Sequence, residues 1–203
     1  MVKKIIAVDL DDVVADTTNA LRLEVNKIAQ ANLTPEHYQI DGEYWGYYEH
    51  VWVVNKIDHL VSFDALHDDM SVTQKHVEII EGAKSALEKL KKHHRLVAVT
   101  SRKVQWVNAT HEWLEDKLPG TFEDVIFVHH DDNDGRTKGD ACVDTGAEWL
   151  IDDNSGHCLS AKCKGVKAVL FGNYGWNRRA PEKYYDVRAV NWQEVLEYFD
   201  GQS

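Results

Sequence analysis

The sequence predicts an α/β fold: a doubly wound parallel sheet with a small helical insertion after its first strand. Three observations carry that prediction. Short apolar runs recur along the 203 residues and stop at acidic or hydroxyl side chains. From residue 81 onward such runs alternate with helix-period segments, the pattern of a parallel sheet with crossover helices. The 18–80 stretch is too long for an ordinary crossover and differs in composition. Right-handed crossovers bring the strand ends to one edge of the sheet, where ligands of open α/β sheets sit.

The first run, Ile5-Ile6-Ala7-Val8, reads as a buried strand cut off by Asp9, Asp11 and Asp12. Leu21, Leu23, Val25 and Ile28 make an imperfect helical stripe over 17–30. Pro35 and Gly42 break it, and an aromatic stretch follows with Tyr44, Trp45, Tyr47, Tyr48, Trp52 and Phe63. Ala83, Ala86, Leu87 and Leu90 mark the next helix, whose ending in Lys91, Lys92, His93 and His94 complements the helix dipole. Residues 96–99 form a strand ending at Thr100-Ser101, a helix over 104–118 stops at Pro119-Gly120, and 125–128 is a third strand. The polar loop Asp131-Asp132-Asn133-Asp134-Gly135 leads to Lys138 and a short helix over 139–146. The fourth strand, 149–151, is cut off by Asp152-Asp153; a helix, a strand over 168–171 and a closing helix over 192–199 follow. The expected domains are an α/β core of 1–17 and 81–203 and a helical cap over 18–80.

Composition bounds the function. A formal net charge of −11 repels a polyphosphate backbone, so extended nucleic-acid binding is disfavoured, while a small anionic substrate needs a metal ion and a few well-placed cations. No apolar stretch approaches a membrane span and no secretory h-region follows the first residues, so a cytoplasmic location is expected. Cys142, Cys158 and Cys163 form no CxxC pair and read as reduced thiols. His93-His94 and His129-His130 are adjacent pairs that diverge on a strand or helix, and ordinary surface roles are expected for them.

The chemistry collects at three strand ends. Asp9 and Asp11, two apart on an extended chain, point the same way, and carboxylates crowded there are costly without a cation. Thr100-Ser101 and Asp152-Asp153 end two further strands, and Lys138 lies just before the last of them. A lone Asp-x-Asp is more often a solvated turn; the ordered set overturns that reading. Asp152-Asp153 and Asn154 also carry helix-capping chemistry.

The motifs Asp9-Leu10-Asp11-Asp12-Val13, Thr100-Ser101-Arg102, Lys138 and Leu150-Ile151-Asp152-Asp153-Asn154 resemble those of the haloacid dehalogenase superfamily of phosphohydrolases, and most nearly its 5'(3')-deoxyribonucleotidase-like branch. That resemblance implies a phosphomonoesterase with a Rossmann-like core. It makes Asp9 the nucleophile and Asp11 the general acid and base. It also assigns Thr100, Ser101 and Lys138 to the phosphoryl oxygens, and Mg2+ to Asp9, the Asp11 carbonyl and one or both of Asp152 and Asp153. A nucleoside 5'-monophosphate is the expected substrate, with a ring such as Tyr44, Trp45, Tyr47 or Tyr48 stacking on a base; for most of these rings a role in a small hydrophobic core is the better expectation. Two rivals stand beside it. One is a 3'-phosphatase on nucleic-acid ends, with Arg102, Arg136, Arg178 and Arg179 as a basic rim; the other is a non-catalytic phosphometabolite-binding module. The expected partner is a small phosphomonoester, without membrane or extended nucleic acid, and a homodimer stays open as the oligomeric state.

Overall fold

The computed structural model describes residues 3–66, 68, 74–128 and 135–201. The polar residues 131–134 and the His129-His130 pair lie outside the described residues. Six parallel strands, β1 (Lys4–Val8), β2 (His94–Thr100), β3 (Asp124–Phe127), β4 (Ala147–Asp152), β5 (Lys167–Phe171) and β6 (Val187–Ala189), stand in the order β3-β2-β1-β4-β5-β6. Strand order therefore reverses at β1, which pairs with β2 on one side and β4 on the other. That reversal opens a crevice at the carboxyl ends of these three strands.

The helices are α1 (Thr17–Ala29), α2 (Tyr47–Val54), α3 (Ala83–His93), α4 (Val107–Lys117), α5 (Lys138–Thr145), α6 (Ser155–Cys163) and α7 (Trp192–Asp200). Where the sequence reading gave bounds, for α1, α3, α5 and α7, they agree to within a few residues; α2 was foreseen only as part of a helical insertion, and the helix expected from residue 104 opens with a 3-10 turn, Val104–Trp106, before α4. Among the strands, β6 is the one that periodicity did not reveal. It is three residues long at the sheet edge, and Asp186 ties it in by accepting the Ala168 N–H at 2.8 Å.

Alternate residues of the central strands face opposite ways, and both faces are buried. Ile6, Val8, Leu96, Ala98, Trp149 and Ile151 pack with Leu87 of α3 and Trp192 and Phe199 of α7. Ala7, Val97, Val99 and Leu150 pack with Ala141 and Cys142 of α5 and Ala161 of α6. The segment between β1 and β2 has its own cluster, in which Leu21 and Val25 of α1 meet Tyr38, Tyr47, Val51, Trp52, Ile57 and Leu66. Each such buried aliphatic chain stabilises by about 2 kcal/mol. The rest of the α1 stripe is not used: Leu23 and Ile28 are about half exposed. Of the thiols, Cys142 and Cys158 are buried and Cys163 is exposed. His94 wedges between Trp149 and Phe199 with ring centroids 5.9 and 5.5 Å away, a packing role rather than a surface one.

Candidate active site

The ends of β1, β2 and β4 surround a cavity of about 390 Å3 whose other wall comes from the segment between β1 and β2. Asp9, Asp11, Ser101, Lys138 and Asp153 line it from the sheet side. Thr100 and Asp152, both fully buried, lie beneath this lining. The five-residue strand β1 ends just before Asp9, whose N–H still bonds the Ile151 carbonyl of β4 at 2.9 Å; this sets the two acidic strand ends side by side.

Lys138 is the first residue of α5, and the capping box of Thr137 and Asp140 fixes where that helix begins. Gly139 allows the placement. A Cβ there would stand 2.5 Å from the Ser160 carbonyl oxygen of α6, so only glycine lets α5 approach closely enough to bury its lysine. The Lys138 ammonium, 1% exposed, reaches Asp9 Oδ1 at 2.7 Å and Asp152 Oδ2 at 2.8 Å. Burial alone would push this amine down, but the two carboxylates outweigh it and hold its pKa above the ordinary lysine value.

Asp152 is fully engaged. Its Oδ2 takes Lys138, and its Oδ1 accepts the Asn154 N–H at 2.9 Å and lies 3.2 Å from His157 Nδ1. Burial opposes its ionisation, yet Lys138 and then His157 prevail and bring the carboxyl down to about 2. Asp153 is different: its Oδ2 accepts the Trp176 indole N–H at 2.7 Å, and no cation pairs with it among the described residues. Burial, then the charges of Asp152, Asp9 and Asp12, raise it well above the ordinary carboxyl range. Asn154, not either aspartate, caps α6, accepting from Gly156 N at 2.7 Å and His157 N at 3.3 Å.

Asp9 also accepts the Leu10 N–H at 2.8 Å on Oδ1, which leaves Oδ2 without a hydrogen bond among the described residues. Burial raises its carboxyl to about 7; Lys138 offsets part of this, and the charges of Asp152 and Asp11 add to it. Around Lys138, three carboxylates thus face one ammonium. Two negative charges lack a partner, which is the charge a divalent cation carries, and the donor set is all oxygen, as hard cations prefer. The ligand-type atoms of Asp9, Asp152 and His157 lie within 4.8 Å of one another. Both Asp152 oxygens are already taken, whereas Asp153 Oδ1 makes no hydrogen bond among the described residues, so Asp153 is the freer ligand to join Asp9.

Asp11 has a separate partner. Arg102 donates from Nε to Asp11 Oδ2 and from NH2 to Oδ1, each at 2.8 Å, and the Thr17 hydroxyl donates to Oδ1 at 2.6 Å. Burial would raise the Asp11 carboxyl, but Arg102 and Thr17 together hold it below the ordinary value. Arg102 is thus not the rim cation that the rival 3'-phosphatase reading requires. Arg136 pairs with Asp144, and Arg178 and Arg179 pair with Asp41, so the basic rim does not form at the cavity.

Asp12 adopts a left-handed backbone, φ 55°, and its carboxylate accepts Thr18 N at 2.9 Å and Thr18 Oγ1 at 2.8 Å, holding the start of α1. The Ser101 hydroxyl is buried with no partner among the described residues, a polar atom left for a ligand. On the opposite wall stand Tyr44, Trp45, Tyr47, Tyr48, Phe63 and Trp176. Tyr48 and Phe63 stack at 5.7 Å and 16°, while Trp45 is 69% exposed at the mouth. Tyr47 and Trp52 are core residues, as expected for part of this set. His157 and Trp176, which sequence reasoning gave no site role, both line the cavity.

Comparison with known proteins agrees with this geometry. The chain is 23% identical over 140 residues, 68% of each chain, to the Bacillus subtilis (strain 168) protein called "Putative nucleotidase YqfW". A structure described as a "predicted phosphatase from Clostridium acetobutylicum" matches with a TM-score of 0.68 at 14% identity, over 99% of this chain and 100% of that one. The "putative HAD-hydrolase YfnB from Bacillus subtilis bound to magnesium" matches with a TM-score of 0.65 at 12% identity, over 98% and 100%. Both share the fold of this chain. Residues 3–199 match the family model described as "5' nucleotidase, deoxy (Pyrimidine), cytosolic type C protein", and the chain belongs to that family of haloacid dehalogenase-type phosphoric monoester hydrolases.

Proposed function

We propose that the protein is a cytoplasmic Mg2+-dependent phosphomonoesterase that hydrolyses nucleoside 5'-monophosphates through a phosphoryl group carried on Asp9. The observation that carries this reading is the pairing of walls in one cavity: Asp9, Asp11, Ser101, Lys138 and Asp153 on one side, aromatic rings on the other. A phosphate fits the first and a nucleobase the second. The match to the 5' nucleotidase family and the acidic cluster support it.

In this reading Asp9 Oδ2, the oxygen that Lys138 and Leu10 leave open, attacks phosphorus and forms an aspartyl-phosphate. Lys138 and the unpartnered Ser101 hydroxyl hold phosphoryl oxygens, and the buried Thr100 hydroxyl supports that loop by accepting the Arg102 N–H at 3.3 Å. Asp11 protonates the leaving ribose oxygen and then takes a proton from the water that releases phosphate. Asp9, Asp153 and the Asp11 carbonyl would hold Mg2+, which supplies charge neutralisation for the phosphoryl group. Asp152 anchors Lys138. Residues 18–80 act as the cap, and Tyr44, Trp45, Tyr48 or Phe63 stacks on the base.

The test is phosphate release from a panel of nucleotides and sugar phosphates, with Mg2+ or with EDTA, using wild type and Asp9→Asn. Nucleoside 5'-monophosphates should lead the panel, and both EDTA and Asp9→Asn should abolish turnover while the fold persists. Silence across the panel, or a clear preference for sugar phosphates, would refute the assignment.

A further inference from the structure

Arg102 ends a Thr-Ser-Arg sequence that suggests a phosphate ligand, but its guanidinium is buried and each of its three nitrogens donates within the protein. Its side chain is 2% exposed. NH1 donates to Thr110 Oγ1 of α4 at 3.2 Å, and the guanidinium carbon lies 5.8 Å from the Trp106 ring and 5.9 Å from the Trp113 ring. The remaining edge, Nε and NH2, is spent bidentately on Asp11. Asp11 itself is 30% exposed in its side chain and lines the cavity. A rigid, buried donor therefore holds a half-open carboxylate, and a planar fork fixes both the position and the plane of that carboxylate.

We propose that Arg102 is a positioning residue for the proton-transfer steps: it sets the aim of Asp11 at the ester oxygen and, later, at the hydrolytic water. This rests on the reading of Asp11 as general acid and base. In the first step Asp11, which takes up a proton from solvent as the phosphate's negative charge arrives beside it, passes that proton to the leaving oxygen while a bond forms between an Asp9 oxygen and phosphorus and the bond from phosphorus to the leaving oxygen breaks. In the second, water oxygen bonds to phosphorus, its proton returns to Asp11, and the Asp9 carboxylate is released. A misaimed Asp11 penalises the first step in proportion to the leaving group's need for a proton. An alkoxide needs one; a nitrophenolate scarcely does.

The experiment compares kcat/KM of wild type, Arg102→Met and Arg102→Lys on the best alkyl phosphate of the panel and on p-nitrophenyl phosphate, with Mg2+ present. kcat/KM is used because it reports the step in which the leaving group departs. Arg102→Met should lose about 100-fold or more on the alkyl ester, the scale of general acid catalysis, and under about 5-fold on the aryl ester. Arg102→Lys, which keeps the charge but not the fork, should fall between. With the aryl ester, nitrophenol should appear in a burst, because aspartyl-phosphate hydrolysis still needs Asp11. Equal losses on both esters, a rise in KM alone, or unchanged kinetics would each overturn the proposal. If Arg102→Met does not fold, Arg102→Lys carries the same comparison. A wild type that cleaves neither ester refutes the phosphatase reading instead, so the two failures are distinct.

Discussion

Removing the metal should make the stability of this protein depend steeply on pH, with a sign opposite to ordinary acid denaturation. In the folded chain without a cation the Asp9 carboxyl stands at about 7, against an ordinary value of 3.8. A carboxyl raised on folding binds its proton more tightly in the native state. Its contribution is therefore complete below about pH 4 and is lost as pH climbs towards 7. The full span of about three pH units corresponds to roughly 4 kcal/mol, and the part lost between pH 5 and 7 to about 2 kcal/mol. Asp153, raised by the same crowding, steepens the fall. Asp152 and Asp11 are lowered and work the other way, but their stabilisation is lost only as pH drops below the ordinary carboxyl range, outside this window. Urea unfolding from pH 5 to 7.5 in EDTA, for wild type and Asp9→Asn, reads the effect. Wild type should lose stability with rising pH and Asp9→Asn much less, and Mg2+ should flatten the wild-type curve by binding the ionised form. Equal slopes for the two proteins in EDTA would show that Asp9 is not the strained group.

Gly139→Ala should cost about 1–3 kcal/mol, because the new methyl meets the Ser160 carbonyl at 2.5 Å and the start of α5 must retreat, taking Lys138 with it. A displacement near 1 Å at this lysine should lower kcat/KM roughly 100-fold; wild-type melting and kinetics would contradict the packing argument. Asp152→Asn and Asp153→Asn should separate cleanly. The first breaks the buried pair at 2.8 Å and should destabilise by about 3–5 kcal/mol. The second removes a crowded carboxylate, so it should preserve or raise stability in EDTA while increasing the Mg2+ needed for half-maximal activity at least about tenfold. The reverse pattern in chemical denaturation and Mg2+ titration would make Asp152 the ligand.

The strand ends were legible in the sequence because each apolar run stops abruptly, and parallel strands carry their ends to one edge. That reasoning brought Asp9, Asp11, Ser101, Lys138 and Asp153 to one cavity. It could not tell Asp152 from Asp153: neighbours at a strand end diverge, and which faces the cavity depends on Lys138 from α5 and Trp176 from beyond β5. The place of Arg102, a rim candidate in the 3'-phosphatase reading, stayed open for a related reason. Its local sequence suits a rim as well as a buried clamp, and the choice is made by Trp106, Thr110 and Trp113, which wall it in. The aromatic stretch divided for lack of any clean period, with Trp52 turned to a core and Trp45 to the cavity mouth. The strand β6 was too short for alternation to register.

Asp9 and Asp11 sit two residues apart on one chain segment, yet their carboxyls are driven in opposite directions. The backbone cannot explain this, since it aims both at the same cavity. Their partners do. Asp11 has a guanidinium to itself and a hydroxyl besides, whereas Asp9 shares one ammonium with Asp152, a competitor that also holds His157 and a backbone N–H. Fixed side chains therefore complete the charge balance at the acid–base residue and leave it incomplete at the nucleophile. A phosphate dianion approaching Asp9 would meet uncompensated negative charge, because the single charge of Lys138 is already shared between Asp9 and Asp152 even though its third N–H can still reach a phosphoryl oxygen. The proposed chemistry thus needs a mobile cation at the Asp9 and Asp153 carboxylates and none at the Asp11 carboxylate, where Arg102 already stands.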